Sequence, residues 1–169
     1  MAAGHLEEAR GAPELAQPQF EQAEAWCRSG DMPLLGLVAA SHLGVVMIRS
    51  GNIADGLAKL QATHSQIATM GFQGQLAYCL AGLAEAHLLH QDLTAAQTAA
   101  EQAMAAAGQR NDAGAQVHAL LVLAECQRLR AAGDQDAGAR QQAEALAIAE
   151  RLDLPPLTAR CRRWVAATV

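Results

Sequence analysis

Three histidines have a spacing that could bind a metal ion. His87 and His90 are three residues apart, so they would share one face of a helix, and His118 follows further along the chain. Three imidazoles form a common zinc site. No acidic residue or cysteine has a ligand spacing with this set, and a histidine at the end of a helix is favourable there without a metal. The sequence therefore predicts packing and capping roles for these histidines, and no metal site.

The cysteines are Cys27, Cys79, Cys126 and Cys161. They are far apart and form no C-x-x-C pair, a pattern typical of reduced thiols in a cytoplasmic protein. A free cysteine inside a helical protein packs as a small apolar residue. We therefore interpret the four thiols as structural rather than catalytic.

Sequence motifs of common enzyme classes are missing from the chain. It contains no G-x-S-x-G, no P-loop, no G-x-G-x-x-G and no H-E-x-x-H. The segment "RAAGDQDAGAR", from Arg130 to Arg140, has acidic residues at alternate positions but lacks the spacing of a calcium loop. The sequence thus predicts a protein that is not an enzyme and has no cofactor.

Charge and hydropathy exclude two further classes of partner. The net charge is −5, and basic residues are sparse except for Arg160, Arg162 and Arg163. A nucleic-acid-binding protein usually has a basic stripe instead. No apolar run reaches the roughly 18 residues that a membrane span needs, and the first residues lack the pattern of a signal peptide. We expect a cytoplasmic protein whose domain binds neither nucleic acid nor membrane.

Composition predicts an all-α protein. The chain has 40 alanines, and aromatic residues make up only 3% of it. Alanine is the best helix former and is poor in strands. A core with so few aromatic side chains requires helices that pack closely together.

The sequence repeats itself with a period of about 40 residues. "FEQAEA" at Phe20 aligns with "LQATHS" at Leu60 and with "AEQAMA" at Ala100. A shift of 42 aligns "QDLTAAQTAAEQA", which starts at Gln91, with "GDQDAGARQQAEA", which starts at Gly133. The last full unit therefore contains a two-residue insertion. A period of this length is typical of helical repeat arrays.

Each unit is predicted to contain two helices, A and B. The predicted A helices are Leu34–Ser50, Gly74–His90 and Ala113–Ala131, with the end of an earlier one near Gly4–Arg10 and a last one at Pro156–Ala167. The predicted B helices are Pro13–Arg28, Ile53–Thr69, Leu93–Ala107 and Gln135–Arg151. Between A and B stand Gly-Asn at 51–52, Gln-Asp at 91–92 and Gly-Asp at 133–134, which suit the end of one helix and the N-cap of the next.

The segments "HLGVVMIRSGNIADGLAKLQAT" and "LAEAHLLHQDLTAAQTAAEQAM" resemble tetratricopeptide (TPR) repeats. Leu43-Gly44, Met47, Gly51, Gly56 and Leu60 fill the pattern of that family in the first segment, with Thr63 where alanine is usual. The characteristic Trp and Pro are absent and the period is longer, so the chain resembles the divergent arrays attached to bacterial regulatory ATPases, nucleotide cyclases and LuxR-type regulators.

The resemblance implies a right-handed α-solenoid of antiparallel helical hairpins, with about 3.5–4 units of about 40 residues. The whole chain, 1–169, would form a single TPR-like repeat domain. Its units would be approximately 1–31, 32–72, 73–112 and 113–154, followed by a terminal helix at 155–169.

The resemblance also implies a concave face formed by the A helices. The residues that it places on this groove are Val38, Ser41, Val45, Arg49, Tyr78, Ala81, Glu85, Leu88, His118, Leu121, Glu125 and Arg128. An apolar strip with a few charges suits a peptide or helix of a partner protein. A groove that clamps a peptide carboxylate through several lysines is not expected, since Lys59 is the only lysine in the chain.

Two functions remain open at this point. The first is a protein–protein interaction scaffold, or a sensor arm of a bacterial signalling or transcription system, which binds a partner in the concave face. The second is an oligomerisation module, because unpartnered hairpins at the two ends of an array could pair between two chains and form a homodimer.

Overall fold

The computed structural model describes residues 1–130 and 135–166, and the elements within those ranges are helices. In chain order they are α1 (Ala2–Arg10), α2 (Pro13–Ser29), α3 (Pro33–Arg49), α4 (Ile53–Met70), a short 3₁₀ turn (Gln73–Gln75), α5 (Leu76–Leu89), α6 (Leu93–Arg110), α7 (Ala113–Leu129), α8 (Gln135–Arg151) and α9 (Pro155–Ala166). The predicted all-α class is confirmed for these residues.

The predicted helices agree with the observed ones to within a few residues. The largest difference is at α6, which continues to Arg110 instead of ending at Ala107. The Gly-Asp joint at 133–134, the predicted end of a helix at Ala131 and the last three residues lie outside the described ranges. The handedness of the array and the number of its units stay predictions.

The chain reverses direction at residues spaced twenty apart. A backbone φ in the left-handed region recurs at Gly11, Asp31, Gly51, Gly71, Gln91 and Asn111. Asp153 follows 42 residues after Asn111, which matches the predicted two-residue insertion. A left-handed residue just after a helix ends it and turns the chain. Two such turns make the 40-residue period seen in the sequence.

Two of the three predicted caps between an A and a B helix can be compared with the structure. The Asp92 carboxylate accepts a hydrogen bond from the backbone N–H of Ala95 at 3.0 Å, as an N-cap residue does. Asn52 also occupies an N-cap position, but its side chain donates to Asp55 at 2.9 Å instead. Asp112 caps α7 in the same way as Asp92 caps α6, through the N–H of Ala115.

Consecutive helices pack against each other along the whole array. In addition, the odd-numbered helices pack side by side, α3 against α5, α5 against α7 and α7 against α9. The first and last helices also meet, since α1 contacts α9. The odd-numbered helices therefore surround a common interior, with the even-numbered helices packed between their neighbours. Of the described helices, none combines the length and the apolar character that crossing a membrane requires.

Small residues allow the helices to approach closely. Leu60 on α4 fills the space left by two glycines, because a Cβ atom at Gly44 or Gly82 would lie 2.7 Å or 3.0 Å from the Leu60 side chain. Gly56 faces backbone as well as side chain, since a Cβ there would lie 2.6 Å from the Ile48 side chain and 2.8 Å from the carbonyl oxygen of Gly44. The fully buried alanines of α5 and α6 extend this close packing along the main core. The alanine-rich composition thus reflects the short distances between helices.

We expect Gly56→Ala to destabilise the fold. The added methyl group would also lie 3.0 Å from the backbone nitrogen of Ile48, and neither backbone atom can move without shifting a helix. Urea unfolding followed by circular dichroism should show a loss of about 1–3 kcal/mol in the free energy of unfolding. The matched control is Gly108→Ala on α6, where a Cβ meets no atom within 4 Å. The control should gain about 0.5–1 kcal/mol, and equal stability of the two variants would contradict the packing described here.

Candidate functional site

A cavity of about 430 Å³ lies among the odd-numbered helices. We call it the central cavity. Its lining combines charged and aromatic side chains with a few apolar and small residues, namely His5, Glu8, Gly11, Pro13, Arg49, Tyr78, Glu85, Gly114, His118, Leu157 and Arg160. These residues come from both ends of the chain as well as from its middle, so the cavity exists only in the fully folded array.

Arg49 of α3 joins two carboxylates across the cavity wall. Its Nε and Nη2 atoms donate to Oε2 of Glu85 at 3.2 Å and 3.0 Å, and its Nη1 atom donates to Oε1 of Glu8 at 2.7 Å. The Tyr78 hydroxyl donates to the same Glu8 oxygen at 3.1 Å. One guanidinium group thereby links α1, α3 and α5.

Glu85 of α5 has polar partners on three other helices. Besides Arg49, Arg160 of α9 donates to Oε1 of Glu85 at 3.3 Å. Nε2 of His118 on α7 lies 2.7 Å from Oε2 of Glu85. Glu85 is only 8% exposed, and a buried carboxylate is tolerated only when it is paired. It therefore connects the middle of the array to its last helix. We call Glu8, Arg49, Tyr78, Glu85, His118 and Arg160 the ion network.

The ion network keeps both carboxylates ionised. Burial alone would raise the pKa of Glu8, but the neighbouring His42 imidazole and the charge of Arg49 outweigh it and lower the pKa to about 2. Burial also opposes ionisation of Glu85, yet the charges of Arg49 and Arg160 hold its pKa well below the usual range. Two negative and two positive charges therefore face the cavity, and they balance each other.

The histidine of the network is neutral at physiological pH. Burial and then the positive charge of Arg160 lower the pKa of His118 to about 4. Burial and the nearby Glu8 carboxylate raise the pKa of Tyr78 well above its normal value, so its hydroxyl stays protonated. Both side chains therefore offer an uncharged polar group to the cavity.

A cluster of rings adjoins the network where α1 meets α3. The imidazole of His42 lies 4.3 Å from that of His5, 4.2 Å from the Tyr78 ring and 5.2 Å from the Phe20 ring, between centroids. His5, Glu8 and His42 offer ligand atoms that all lie within 4.8 Å of one another. In the described part of the chain, this is the group whose geometry could hold a metal ion.

Four of the predicted groove residues come together at the central cavity. They are Arg49, Tyr78, Glu85 and His118. Glu125 and Arg128 pair with each other on α7, where Arg128 Nε donates to Glu125 Oε2 at 2.8 Å.

Most of the other predicted groove residues are packed inside the protein, away from the central cavity. Val45, Ala81 and Leu88 are buried in the main core, and Leu121 is buried in a second core beside α8 and α9. Ser41 is buried with its hydroxyl donating to the Leu37 carbonyl oxygen at 2.8 Å, and Val38 is half-buried. None of these residues lines the central cavity as the structure describes it.

The three histidines and four cysteines considered from the sequence as metal ligands or nucleophiles do not lie together in one site. His118 belongs to the network, whereas His87 is half-buried on α5 and His90 is the exposed C-cap of that helix. The four cysteines are free and buried. Burial raises the pKa of Cys79 to about 12, which keeps its thiol protonated. The packing role predicted for the cysteines agrees with these surroundings.

Sequence reasoning missed Glu8, His42 and Arg160. Glu8 and Arg160 lie on α1 and α9, the helices that the repeat pattern treats as unpartnered ends. The signal that could have found them is charge, because a polar residue predicted inside the groove, such as Glu85, requires a partner of opposite sign. The contact between α1 and α9 also covers part of both terminal helices, so the predicted homodimer stays a prediction.

No family model and no curated protein matches this chain. The function is therefore argued from the residues of the central cavity.

We expect Glu85→Gln to be strongly destabilising. The isosteric amide removes the negative charge between Arg49 and Arg160 and leaves two partly buried cations close together. Breaking a buried pair in this way costs about 3–5 kcal/mol, measurable by urea unfolding. The control is Glu125→Gln, whose partner Arg128 is exposed on the same helix, and it should cost less than about 1 kcal/mol. Similar losses for both variants would show that the network contributes no more than a surface pair.

We also expect the stability to fall as the solution is acidified from pH 6.5 to pH 4. The unfolded chain protonates His118 near its ordinary pKa of 6.5, whereas the folded chain does so only near 4. Between these values the unfolded state binds more protons, so the free energy of unfolding decreases with falling pH, by at most about 3 kcal/mol from this group.

The test compares the pH dependence of thermal unfolding in His118→Gln and His90→Gln. The first variant should show a shallower slope between pH 6.5 and 4, and the second, at an exposed C-cap, should keep the slope of the wild type. An unchanged slope in His118→Gln would mean that other groups cause the acid sensitivity.

Proposed function

We propose that this chain is a non-enzymatic protein-interaction module that binds a short segment of a partner protein in the central cavity. The observation that carries the proposal is the convergence of both charge signs, a tyrosine hydroxyl and a neutral imidazole on one cavity of about 430 Å³. This volume is within the range of about 300–1,000 Å³ that is typical of ligand sites. The TPR-like pattern in the sequence supports the same role.

The size of the cavity favours a short segment over a long helix. An α-helix with its side chains is at least about 10 Å wide, so one turn of 5.4 Å fills roughly 420 Å³. The central cavity therefore holds about three or four residues. A chain end or a protruding loop of the partner fits this space, whereas a long helix laid along an open groove does not.

The chemistry of the lining favours a segment that carries both charge and apolar surface. Arg49 and Arg160 can donate to a carboxylate, and Glu8 and Glu85 can accept from a basic side chain. Leu157 and Pro13 add apolar contact area. Because the network presents two positive and two negative charges, a segment that carries both signs can pair with both. We therefore expect a segment with compensating charges.

The proposed biological role of the chain rests on the resemblance of its repeats to TPR-like arrays. Arrays of this kind serve as scaffold or sensor arms of larger bacterial regulators, and we propose such a cytoplasmic role for this chain in signalling or transcription. The binding step would be the whole mechanism, with the packed helices holding the cavity in its bound shape beforehand, which lowers the entropic cost of binding.

A random linear peptide library displayed on phage tests the proposal, because selection from such a library does not require an identified partner. Selected peptides would be labelled and titrated with the full chain by fluorescence anisotropy. Gly114→Phe is the blocking variant, since Gly114 lines the cavity at the start of α7 and its Cβ position has only the Asp112 carboxylate, at 3.4 Å, nearby. Gly108→Phe is the control at an open position on α6.

We expect at least tenfold weaker peptide binding by Gly114→Phe and unchanged binding by Gly108→Phe, with wild-type circular dichroism for both. If no peptide is enriched, or if the selected peptides bind Gly114→Phe as tightly as wild type, the central cavity is not the interaction site.

A further inference from the structure

We propose that His5, Glu8 and His42 form a binding site for a divalent transition-metal ion of the zinc type at the junction of α1 and α3. Two imidazoles and one carboxylate are a recurrent zinc ligand set. This set is separate from the three histidines that the sequence brings to attention. It shares His5 and Glu8 with the central cavity, but metal binding can be measured without any partner segment.

The geometry of the three side chains is close to that of a metal site. Nδ1 of His42 lies 3.4 Å from Oε2 of Glu8. Two ligand atoms of a tetrahedral zinc ion, each about 2.0–2.1 Å from the metal, are about 3.4 Å apart. The ligand atoms of all three residues lie within 4.8 Å of one another, so a small rotation of the partly exposed His5 side chain completes the set.

The packing of α1 explains why these residues meet. His5 and Glu8 are three residues apart on α1 and therefore share one face of the helix. Gly4 allows that helix to approach α2, because a Cβ there would lie 2.8 Å from the Phe20 ring. The same ring stacks on His42 and contacts the edge of His5, both at 5.2 Å between centroids. Phe20 thus contacts both imidazoles and helps to hold them in place.

An independent observation concerns Nδ1 of His42. It is buried, yet among the described residues it has no hydrogen-bond partner. Buried polar atoms nearly always have one, so an atom of this kind requires an explanation. Its distance of 3.4 Å from Glu8 is too long for a good hydrogen bond and suits two ligands of one ion.

The surroundings of Glu8 are those of a ligating carboxylate. Arg49 and Tyr78 both donate to Oε1, which leaves Oε2 directed toward His42. Outer hydrogen bonds of this type orient metal ligands. The positive charge of Arg49 is at the same time compensated by Glu85, which accepts three of its contacts.

The donor atoms select the class of metal. Imidazole nitrogen suits Zn²⁺ and its neighbours, whereas Mg²⁺ and Ca²⁺ are bound by oxygen ligands. Three protein ligands leave one position of a tetrahedral ion for water or for another donor. His5 and Glu8 also line the central cavity, so a molecule bound there could supply that donor.

Isothermal titration of the chelator-treated full chain with ZnCl₂ tests the site. We expect one Zn²⁺ per chain, at least tenfold weaker binding by His5→Gln and by His42→Gln, and unchanged binding by His90→Gln, an exposed histidine elsewhere on the surface. MgCl₂ should give no binding heat. Zn²⁺ should also raise the unfolding temperature of the wild type and of His90→Gln, but not that of His5→Gln.

The substitution of the partly exposed His5 leaves the buried contacts of the core in place, so a folded variant can be measured even if His42→Gln is unstable. The absence of Zn²⁺ binding by the wild type would overturn the proposal. Equal Zn²⁺ affinity of wild type and His5→Gln would also overturn it.

Discussion

The pairing of the Glu85 carboxylate with the guanidinium groups of Arg49 and Arg160 is the interaction on which the arrangement of this protein depends. The three residues lie on α5, α3 and α9, so the pairing holds the middle of the chain to its last helix. Removing a charge from water is unfavourable by several kcal/mol unless a well-placed partner compensates it. Each of these helices is therefore constrained to the position that keeps the others paired, and Glu8 extends the constraint to α1.

Close packing of small residues makes this constraint effective. Where Gly56 faces the backbone of Gly44, two helices approach nearly to contact of their main chains. Interiors packed in this way deform little, so a displacement at one helix is transmitted to its neighbour instead of being absorbed by flexible side chains. The same property keeps the central cavity at a defined shape, as the proposed binding of a short partner segment requires.

Local sequence patterns predicted the helices well, because helix positions depend on caps, turn residues and periodicity within about 20 residues. The family resemblance also brought Arg49, Tyr78, Glu85 and His118 into one set, since it places each of them on the same face of an A helix. It could not supply the partners from the chain ends. Glu8 meets Tyr78 across 70 residues, and Arg160 meets Glu85 across 75. Such contacts depend on the accumulated curvature of several hairpins, which no local pattern encodes.

The same distinction explains the difference between predicted and observed surroundings at Val45, Leu88 and Leu121. The repeat pattern places them on the A-helix face, and they do lie on α3, α5 and α7, but the neighbouring odd-numbered helices and α9 cover them. The curvature that encloses the cavity also buries the residues at its sides. Periodicity identifies a face of a helix, whereas the tertiary arrangement decides whether that face stays open.

The regular twenty-residue spacing of the turns has a consequence for how such a chain can change its length. An array of equal hairpins is in principle open-ended, and gene duplication can add units to it indefinitely. Here α9 is tied to α5 through Arg160 and Glu85, so one more pair of helices inserted between them would carry Arg160 away from Glu85 and leave that carboxylate with one partner fewer. The electrostatics of the interior therefore oppose an insertion of further units between α5 and α9, even though the regular turns would accommodate it.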